Sequence, residues 1–443
     1  AEEPAAKDPA AEATEAPAEE PAAVEPVPAT ELVFLKITDE NEGAALDDML
    51  KDFQAIEDGR YAAVTVTYDA KPFSELWAAV DTSVATGIPI DLLQADGPVM
   101  KYYGYNGILI DLTDYFTPEE IAQWMPQSIE EGSIGGRLYG PPMRQSCSVM
   151  WGNLDMLDAA GVEFKAAEMD YYTYQVALDE IWQPLTLDEN GDGSPEQFGV
   201  RQGQGAGSSH GDYHEGQMAR SNGEPGSPTF AGMGEDGVTF TGYTNTPEAV
   251  ETYVFAQGLY NGFDGAPPVA SKDAIQNAFL AGNTATVFFP DNIIGIRDAQ
   301  FPDVNIDVTG HPFFKTPLCH TGSWHYGVSA NTDEQDVASA YVRYFSSDAA
   351  AEKYFTYVTQ MPANITVLNS AYYEEMPFSF VRDFFVEYGV PRRQTPAYNV
   401  YQQLFGEFYS AVVNDPTADA QALADDYAAQ MDAAAAVYAG WNE

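Results

Sequence analysis

Three short apolar runs near the start of the chain decide its fold: ELVFLKIT (residues 31–38), YAAVTVTY (61–68) and IPIDLLQAD (88–96). Each has the length and composition of a β-strand. Between them, residues 43–57 and 73–86 repeat apolar side chains at helical spacing. Strands that alternate with helices in this way build a mostly parallel sheet covered by helices. The sequence therefore predicts an α/β fold.

Polar side chains follow these predicted strands closely. Asp39 comes just after the first run, Tyr68 ends the second and Asp96 ends the third. In open α/β sheets, ligands bind beyond the carboxyl ends of the strands. These three residues are therefore candidates for a binding cleft.

The stretch GRLYGPPMRQSCSVMWGNLDMLDAAG (136–161) predicts a turn, two strands and a helix in quick succession. Arg144, Trp151 and Asn153 interrupt its otherwise apolar strands. A large aromatic ring and a guanidinium at strand ends suit a cleft that binds a polar ring, by stacking and by multiple hydrogen-bond donors. The alternative is a buried strand in which Trp151 packs in the core.

Further aromatic and polar residues stand at predicted element ends later in the chain. Trp324 lies in HTGSWHYG (320–327), Tyr398 follows a Thr-Pro pair, and Asp291 ends an apolar strand. Aromatic rings cover the apolar face of a sugar, while carboxylates and arginine bind its hydroxyl groups. Together these residues indicate a sugar-like ligand.

One acidic loop has the spacing of a calcium site. Oxygen-bearing side chains stand at positions 1, 3, 5, 7 and 9 of an EF-hand-like loop, and a glycine stands at position 6. The predicted ligands are Asp188, Asn190, Asp192, Ser194 and Glu196. Gly199 occupies position 12, where a carboxylate is usual, so the alternative is an acidic surface turn.

Composition narrows the classes of partner. The 443 residues carry 19 basic and 68 acidic side chains, a net charge of −49. Such a surface repels nucleic acid and anionic lipid, which excludes both as partners. The length favours two or three domains, and no apolar run reaches the ~18 residues of a membrane span.

The N-terminal residues 1–30 consist almost entirely of Ala, Glu and Pro. They cannot bury enough apolar surface to offset the entropy of ordering, so we expect a disordered acidic tether. No signal peptide is present, so the chain has the character of a mature exported protein. We expect its anchor at an upstream residue such as a lipidated cysteine.

Recognisable enzyme motifs are missing from the sequence. It contains no GxSxG elbow, no phosphate-binding loop and no HExxH pair, so no catalytic residue is predicted.

The two cysteines, Cys147 and Cys319, are too few for a disulfide scaffold, and they either form one bridge or stay as buried thiols.

Five segments, taken in order, resemble the family 1 extracellular solute-binding proteins of ABC sugar importers, the group that includes maltose-binding protein. The segments are ATGIPIDLLQADG (85–97), KYYGYNGILIDLTDYF (101–116), GRLYGPPMRQSCSVMWGN (136–153), AIQNAFLAGNTATVFF (274–289) and GSWHYGVSANTDEQDVASAYVRYFSSDAAAEKYF (322–355). The resemblance covers about residues 31–443.

The resemblance implies two α/β lobes of the type II periplasmic-binding-protein fold, joined by hinge strands. The N-terminal lobe would comprise residues 31–144 and 322–370, and the C-terminal lobe residues 145–321 and 371–443. The chain would cross between them near 142–147, near 318–322 and around 370–395. The two cysteines would then lie on neighbouring hinge strands.

The resemblance also implies a function. The lobes would close on a carbohydrate, with an oligosaccharide expected, and the closed form would deliver it to the membrane permease. Trp324 and Trp151 would stack on the sugar, and Arg144 would donate to it. Its hydroxyl groups would donate to Asp96, Asp39 and Asp291, with secondary contacts from Tyr68 and Tyr398. We expect a cell-surface, monomeric protein that needs no cofactor beyond structural Ca²⁺ and meets the membrane only through its N-terminal anchor.

Two other functions remain open from the sequence. One is a secreted polysaccharide-active enzyme, since abundant carboxylates leave a catalytic pair conceivable. The other keeps the binding fold but takes a peptide, a polyamine or a metal chelate; the acidic cleft candidates leave a polyamine open.

Overall fold

The structure, a computed structural model, describes residues 25–38, 42–192, 195–201, 211–261 and 272–442. Two separate β-sheets form its centre, each covered by helices. Asp39, predicted to bind the sugar, and Ser194, predicted to bind calcium, lie outside the described residues.

The strands are short and almost all buried. Those of the first sheet and its surroundings are β1 (Thr30–Ile37), β2 (Val64–Lys71), β3 (Leu92–Asp96), β4 (Ser133–Ile134), β5 (Arg137–Leu138) and β6 (Pro142–Arg144). The remainder are β7 (Val149–Asn153), β8 (Phe198–Arg201), β9 (Thr284–Phe289), β10 (Ile306–Thr309), β11 (Cys319–Thr321), β12 (Trp324–Val328) and β13 (Gly389–Pro391).

The helices fill the segments between the strands. In the first half of the chain they are α1 (Glu42–Gly59), α2 (Phe73–Thr86), α3 (Met100–Tyr105), α4 (Pro118–Ile121), α5 (Pro126–Glu131), α6 (Leu154–Ala159), α7 (Tyr174–Ala177), α8 (Gln217–Arg220) and α9 (Pro228–Ala231). In the second half they are α10 (Pro247–Asn261), α11 (Lys272–Leu280), α12 (Ile293–Gln300), α13 (Gln335–Phe345), α14 (Asp348–Phe355), α15 (Ile365–Leu368), α16 (Phe378–Tyr388), α17 (Tyr398–Val413) and α18 (Ala420–Ala435).

The first sheet has the strand order β2-β1-β3-β12-β6. Strands β1, β2 and β3 are parallel, as the alternation of strands and helices in residues 31–96 predicts. Strand β12 returns from much later in the chain and inserts antiparallel between β3 and β6. The α/β prediction is confirmed. The insertion of β12 places residues that are far apart in the sequence side by side at one edge of the sheet.

The second sheet has the order β10-β7-β9-β8. Its strands β8 and β9 are parallel, whereas β7 runs antiparallel to both of its neighbours. Strand β6 of the first sheet leads into β7 of the second through only four residues, 145–148. The corresponding ends of the two sheets therefore face each other across a short connection, which gives a two-lobed molecule.

A narrow ribbon of strands joins the lobes beside that connection. Strand β11 pairs parallel with β13, and Cys147 forms an antiparallel bridge with Thr321. The amide of Gly322 donates to the carbonyl of Ser146 at 2.7 Å, which extends this pairing.

Cys147 and Cys319 both lie in this ribbon as buried free thiols. Burial foremost, and the neighbouring Cys319 sulfur next, raise the pKa of the Cys147 thiol.

The C-terminal helices associate with the second lobe. Helices α10, α17 and α18 pack on one another, and α16 packs on β11 of the ribbon. Phe384 and Phe385 of α16 share a buried cluster with Val149 and Val287 of the second sheet. The predicted division of the chain into lobes, with its boundaries, stays a prediction.

Order begins slightly earlier than predicted. The tether is predicted to extend through residue 30, yet Thr30 already belongs to β1, and the Val27 amide donates to the Arg60 carbonyl at 2.8 Å.

Among the described helices, none combines the length and apolar character that crossing a bilayer requires.

Candidate functional site

The edge of the first sheet that faces the second lobe brings three predicted residues together. In strand register, Trp324 of β12 lies opposite Asp96 on one side and Arg144 on the other. Neighbouring residues in register project from the same face of a sheet. The Arg144 guanidinium lies 5.6 Å from the Trp324 ring centre, within the range of a cation–π contact. Three of the predicted ligand-binding residues therefore share one site.

Arg144 is held in place by a buried polar network. Its Nη1 donates to the Tyr354 hydroxyl at 2.6 Å, and that hydroxyl donates to Glu42 Oε1 at 2.7 Å. Glu42 is also 2.5 Å from Lys36 Nζ, in an ion pair that is almost wholly buried. Because the network fixes the guanidinium, Arg144 holds the indole of Trp324 in a defined orientation.

Aromatic rings that the sequence analysis missed complete this wall. Phe73 and Trp77 lie on the first turns of α2, directly after β2, and the Phe73 ring meets Trp324 edge-on at 5.8 Å. Trp77 in turn lies 6.3 Å from Tyr398 of the other lobe. Its indole N–H is buried and donates to no partner among the described residues. Their position after a strand end was the signal available in the sequence.

Tyr398 is the predicted residue that comes from the second lobe. It is fully buried at the start of α17, and its hydroxyl lies 3.3 Å from Asp212 Oδ2. Rings from both lobes thus meet at one place, which lies between the sheets.

Asp96 is at the site but already has a partner. Both of its carboxylate oxygens accept hydrogen bonds from Arg392, at 3.0 Å and 2.5 Å. Arg392 follows β13 and lies 5.4 Å from the ring of Tyr213 in the second lobe. Neither residue was predicted, since an arginine after a three-residue strand carries no pattern of its own.

Asp291 lies two residues beyond the end of β9, in the second lobe. It is fully buried, and its carboxylate oxygens accept no hydrogen bond of normal geometry from the described residues. Burial raises the pKa of Asp291 to about 7, and nearby backbone N–H groups and Arg144 only partly offset this effect. An acid in this state can donate to or accept from a polar ligand near neutral pH.

Two other predictions are wrong in position. Trp151 is fully buried in the core of the second lobe, where its indole N–H donates to the Phe289 carbonyl at 2.9 Å. Strand β7 is central in its sheet and all of its residues are buried, so the core alternative holds. Tyr68 lies beside Phe34 on the face of the first sheet covered by helices, with ring centres 6.1 Å apart.

The acidic loop brings three carboxylates together. Oxygens of Asp188, Asp192 and Glu196 all lie within 4.8 Å of one another, and all three residues are exposed. Asp188 Oδ1 also accepts from the amides of Gly191 and Asp192, which is the pattern of an acidic turn as well. Gly199 belongs to β8, so position 12 provides no carboxylate. Calcium binding stays a prediction.

Calorimetry tests that prediction directly. We expect Ca²⁺ added to chelator-treated protein to release heat and to raise the melting temperature, because the ion offsets repulsion among three carboxylates. Replacing both Asp188 and Asp192 by Asn should remove the effect, whereas Asp298→Asn, on an exposed acid of α12, should retain it. No heat from the unmodified protein would make the loop an ordinary turn.

A family described as "Bacterial extracellular solute-binding protein" matches residues 48–377. No curated protein sequence matches the chain significantly.

Solved structures with the same fold cover almost the whole chain. An ABC substrate-binding protein from Listeria monocytogenes in complex with cycloalternan is 20% identical with a TM-score of 0.77, covering 91% of this chain and 98% of that one. A solute-binding protein from Thermotoga lettingae bound with α-D-tagatose is 17% identical with a TM-score of 0.78, covering 91% and 99%. The maltotriose-binding protein of Thermus thermophilus is 15% identical with a TM-score of 0.74, with the same coverage.

Proposed function

The chain belongs to the bacterial extracellular solute-binding family, and from this premise we propose that it is the carbohydrate-binding component of an ABC importer. The observation that carries the proposal is the aromatic wall between the lobes. It is built from Phe73, Trp77 and Trp324 of the first lobe and Tyr398 of the second.

The wall has the chemistry that a sugar requires. Flat rings cover the apolar face of a pyranose, and the buried N–H of Trp77 provides a donor for a hydroxyl group. Asp291 would supply a carboxyl from the second lobe, and Arg144 orients the indole of Trp324. The bound sugars named for the similar structures, cycloalternan, tagatose and maltotriose, support the same class of ligand.

Binding would work by closure of the lobes around the narrow ribbon. A ligand that contacts both lobes favours the closed form, because only that form makes both sets of contacts. Micromolar affinity corresponds to about 8 kcal/mol, which stacked rings and several hydrogen bonds can supply after ordering costs. The closed form would then be recognised by the permease.

We propose that the protein lies at the cell surface. The family is extracellular, and we propose that the acidic N-terminal segment, predicted at residues 1–30, tethers a monomer to the cell surface through an upstream lipid anchor. The net charge of −49 argues against nucleic acid or anionic lipid as a partner. The chain would act as a binding protein and not as an enzyme.

A thermal-shift screen tests this function. We expect at least one of maltotriose, tagatose and cycloalternan to stabilise the protein by about 2.7 kcal/mol at a hundred times its Kd, a shift of several degrees. Quenching of tryptophan fluorescence should accompany it. A response to spermidine or a tripeptide alone would contradict a carbohydrate ligand, and release of new reducing ends from an oligosaccharide would indicate an enzyme.

A further inference from the structure

The chain contains only two cysteines among its 443 residues, and folding brings both to the ribbon between the lobes. Cys319 begins β11, and Cys147 lies in the short connection between β6 and β7. The two residues are far apart in the sequence, so only the tertiary fold brings them together. Because the sequence has no third cysteine, each thiol has one possible partner within the chain.

The strand register places the two side chains on the same face of the ribbon. Cys147 lies opposite Thr321 in an antiparallel bridge. Cys319 precedes Thr321 by two residues in β11, and side chains two positions apart in a strand leave the same face. Cys319 is therefore the diagonal neighbour of Cys147. Burial foremost, and a hydrogen bond with the Cys319 thiol next, raise the pKa of the Cys147 thiol, so the two sulfurs are in contact.

The other surroundings of the thiols do not require them to stay reduced. The Cys147 sulfur donates to the Val381 carbonyl at 3.7 Å, and a thiol is only a weak donor. Among the described residues, neither cysteine belongs to a group of side chains placed to bind a metal. Phe384 and Phe385 of α16 share the buried apolar cluster with both sulfurs. Such an environment suits an uncharged disulfide better than a thiolate.

We propose that Cys147 and Cys319 form an intramolecular disulfide in the exported protein, which links the β6–β7 connection to β11 and stabilises the ribbon. The family is extracellular, and disulfides form and persist outside the cell. The link closes a long loop of the chain, which removes conformational entropy from the unfolded state. The proposal depends on this location and not on any particular solute.

The oxidation requires a disulfide of low molecular weight as the electron acceptor. In the folding chain, the thiolate of one cysteine attacks this disulfide, forms a mixed disulfide and releases one small thiolate. The other cysteine then attacks the protein sulfur of the mixed disulfide, which forms the protein disulfide and releases the second small thiolate. The protons of the two protein thiols pass to the released thiolates. Because both cysteines are fully buried, the folded reduced chain should oxidise much more slowly than the folding chain.

The test compares the full chain refolded in oxidised and reduced glutathione with the same chain refolded in excess dithiothreitol. In denaturant, we expect no titratable thiol in the first form and both thiols in the second, with intact masses that differ by two hydrogen atoms. Peptide mapping without reductant should recover one linked pair of peptides, which contain residues 147 and 319. The oxidised form should melt higher by about 2–6 °C, because its unfolded state is constrained.

The variant that combines Cys147→Ala and Cys319→Ala is the matched control. Its melting temperature should be the same after both refolding procedures, since it has no thiol to oxidise. Two free thiols in the oxidised preparation, a glutathione adduct or a disulfide-linked dimer would overturn the pairing. Equal melting temperatures of the oxidised and reduced parent would overturn the stabilising role. None of these results depends on the sugar screen, so the two proposals fail separately.

Discussion

Replacing Trp324 by alanine should lower the affinity for the sugar selected by the thermal-shift screen by about thirtyfold or more, equivalent to ~2 kcal/mol. The indole is the central ring of the wall: Arg144 lies over it at 5.6 Å and Phe73 meets its edge at 5.8 Å. Truncation removes the stacking surface and leaves both neighbours without their contact. Isothermal titration calorimetry measures the loss.

Trp441→Ala provides the control for this experiment. Trp441 lies near the C-terminus, where its indole N–H donates to the Asp236 carbonyl at 3.0 Å, and it takes no part in the aromatic wall. Its removal should leave the affinity unchanged. If Trp324→Ala bound the sugar as tightly as the parent, the position of the binding site would be wrong.

Replacing Trp151 by alanine should have its effect on stability instead. We expect the free energy of unfolding to fall by about 3–5 kcal/mol, because a fully buried indole leaves a large cavity in the second lobe. The Phe289 carbonyl, which accepts its N–H at 2.9 Å, would also lose a partner. Urea denaturation followed by circular dichroism measures the change.

Trp151→Phe distinguishes packing from stacking on a sugar. Phenylalanine fills most of the cavity, so this variant should recover much of the stability, and the folded fraction of both variants should retain the parent affinity. A stable Trp151→Ala protein with greatly weakened sugar binding would instead favour the stacking role predicted from the sequence.

Local sequence patterns predicted the framework of the first lobe well. Helix α2 was predicted at residues 73–86 and is observed at Phe73–Thr86, and the alternating strands form the parallel part of the first sheet. These features depend on the spacing of apolar side chains over short stretches, which any sequence displays directly. The family resemblance rested on five segments spread between residues 85 and 355, and the match over residues 48–377 confirms it.

The candidate site was predicted only in part. Asp96 was selected because it ends a strand, Arg144 because it interrupts an apolar stretch, and Trp324 as an aromatic residue near an element end. The structure places the three side by side. Trp151 and Tyr68 also stood in strands, but a strand pattern does not state which face the helices cover. Phe73, Trp77 and Arg392 escaped notice because their importance comes from partners far away in the chain.

The sequence by itself determined the α/β class, the acidic composition and the supply of aromatic and charged residues, because composition and short-range periodicity are properties of the chain alone. The two lobes were implied only by the family resemblance. Only the tertiary structure decided which of those residues face the other lobe. Inserting β12 between β3 and β6 brings Trp324 to Asp96 and Arg144, and folding Arg392 back onto Asp96 gives both oxygens of that carboxylate a partner. Such choices depend on contacts between residues hundreds of positions apart, and no local pattern encodes them.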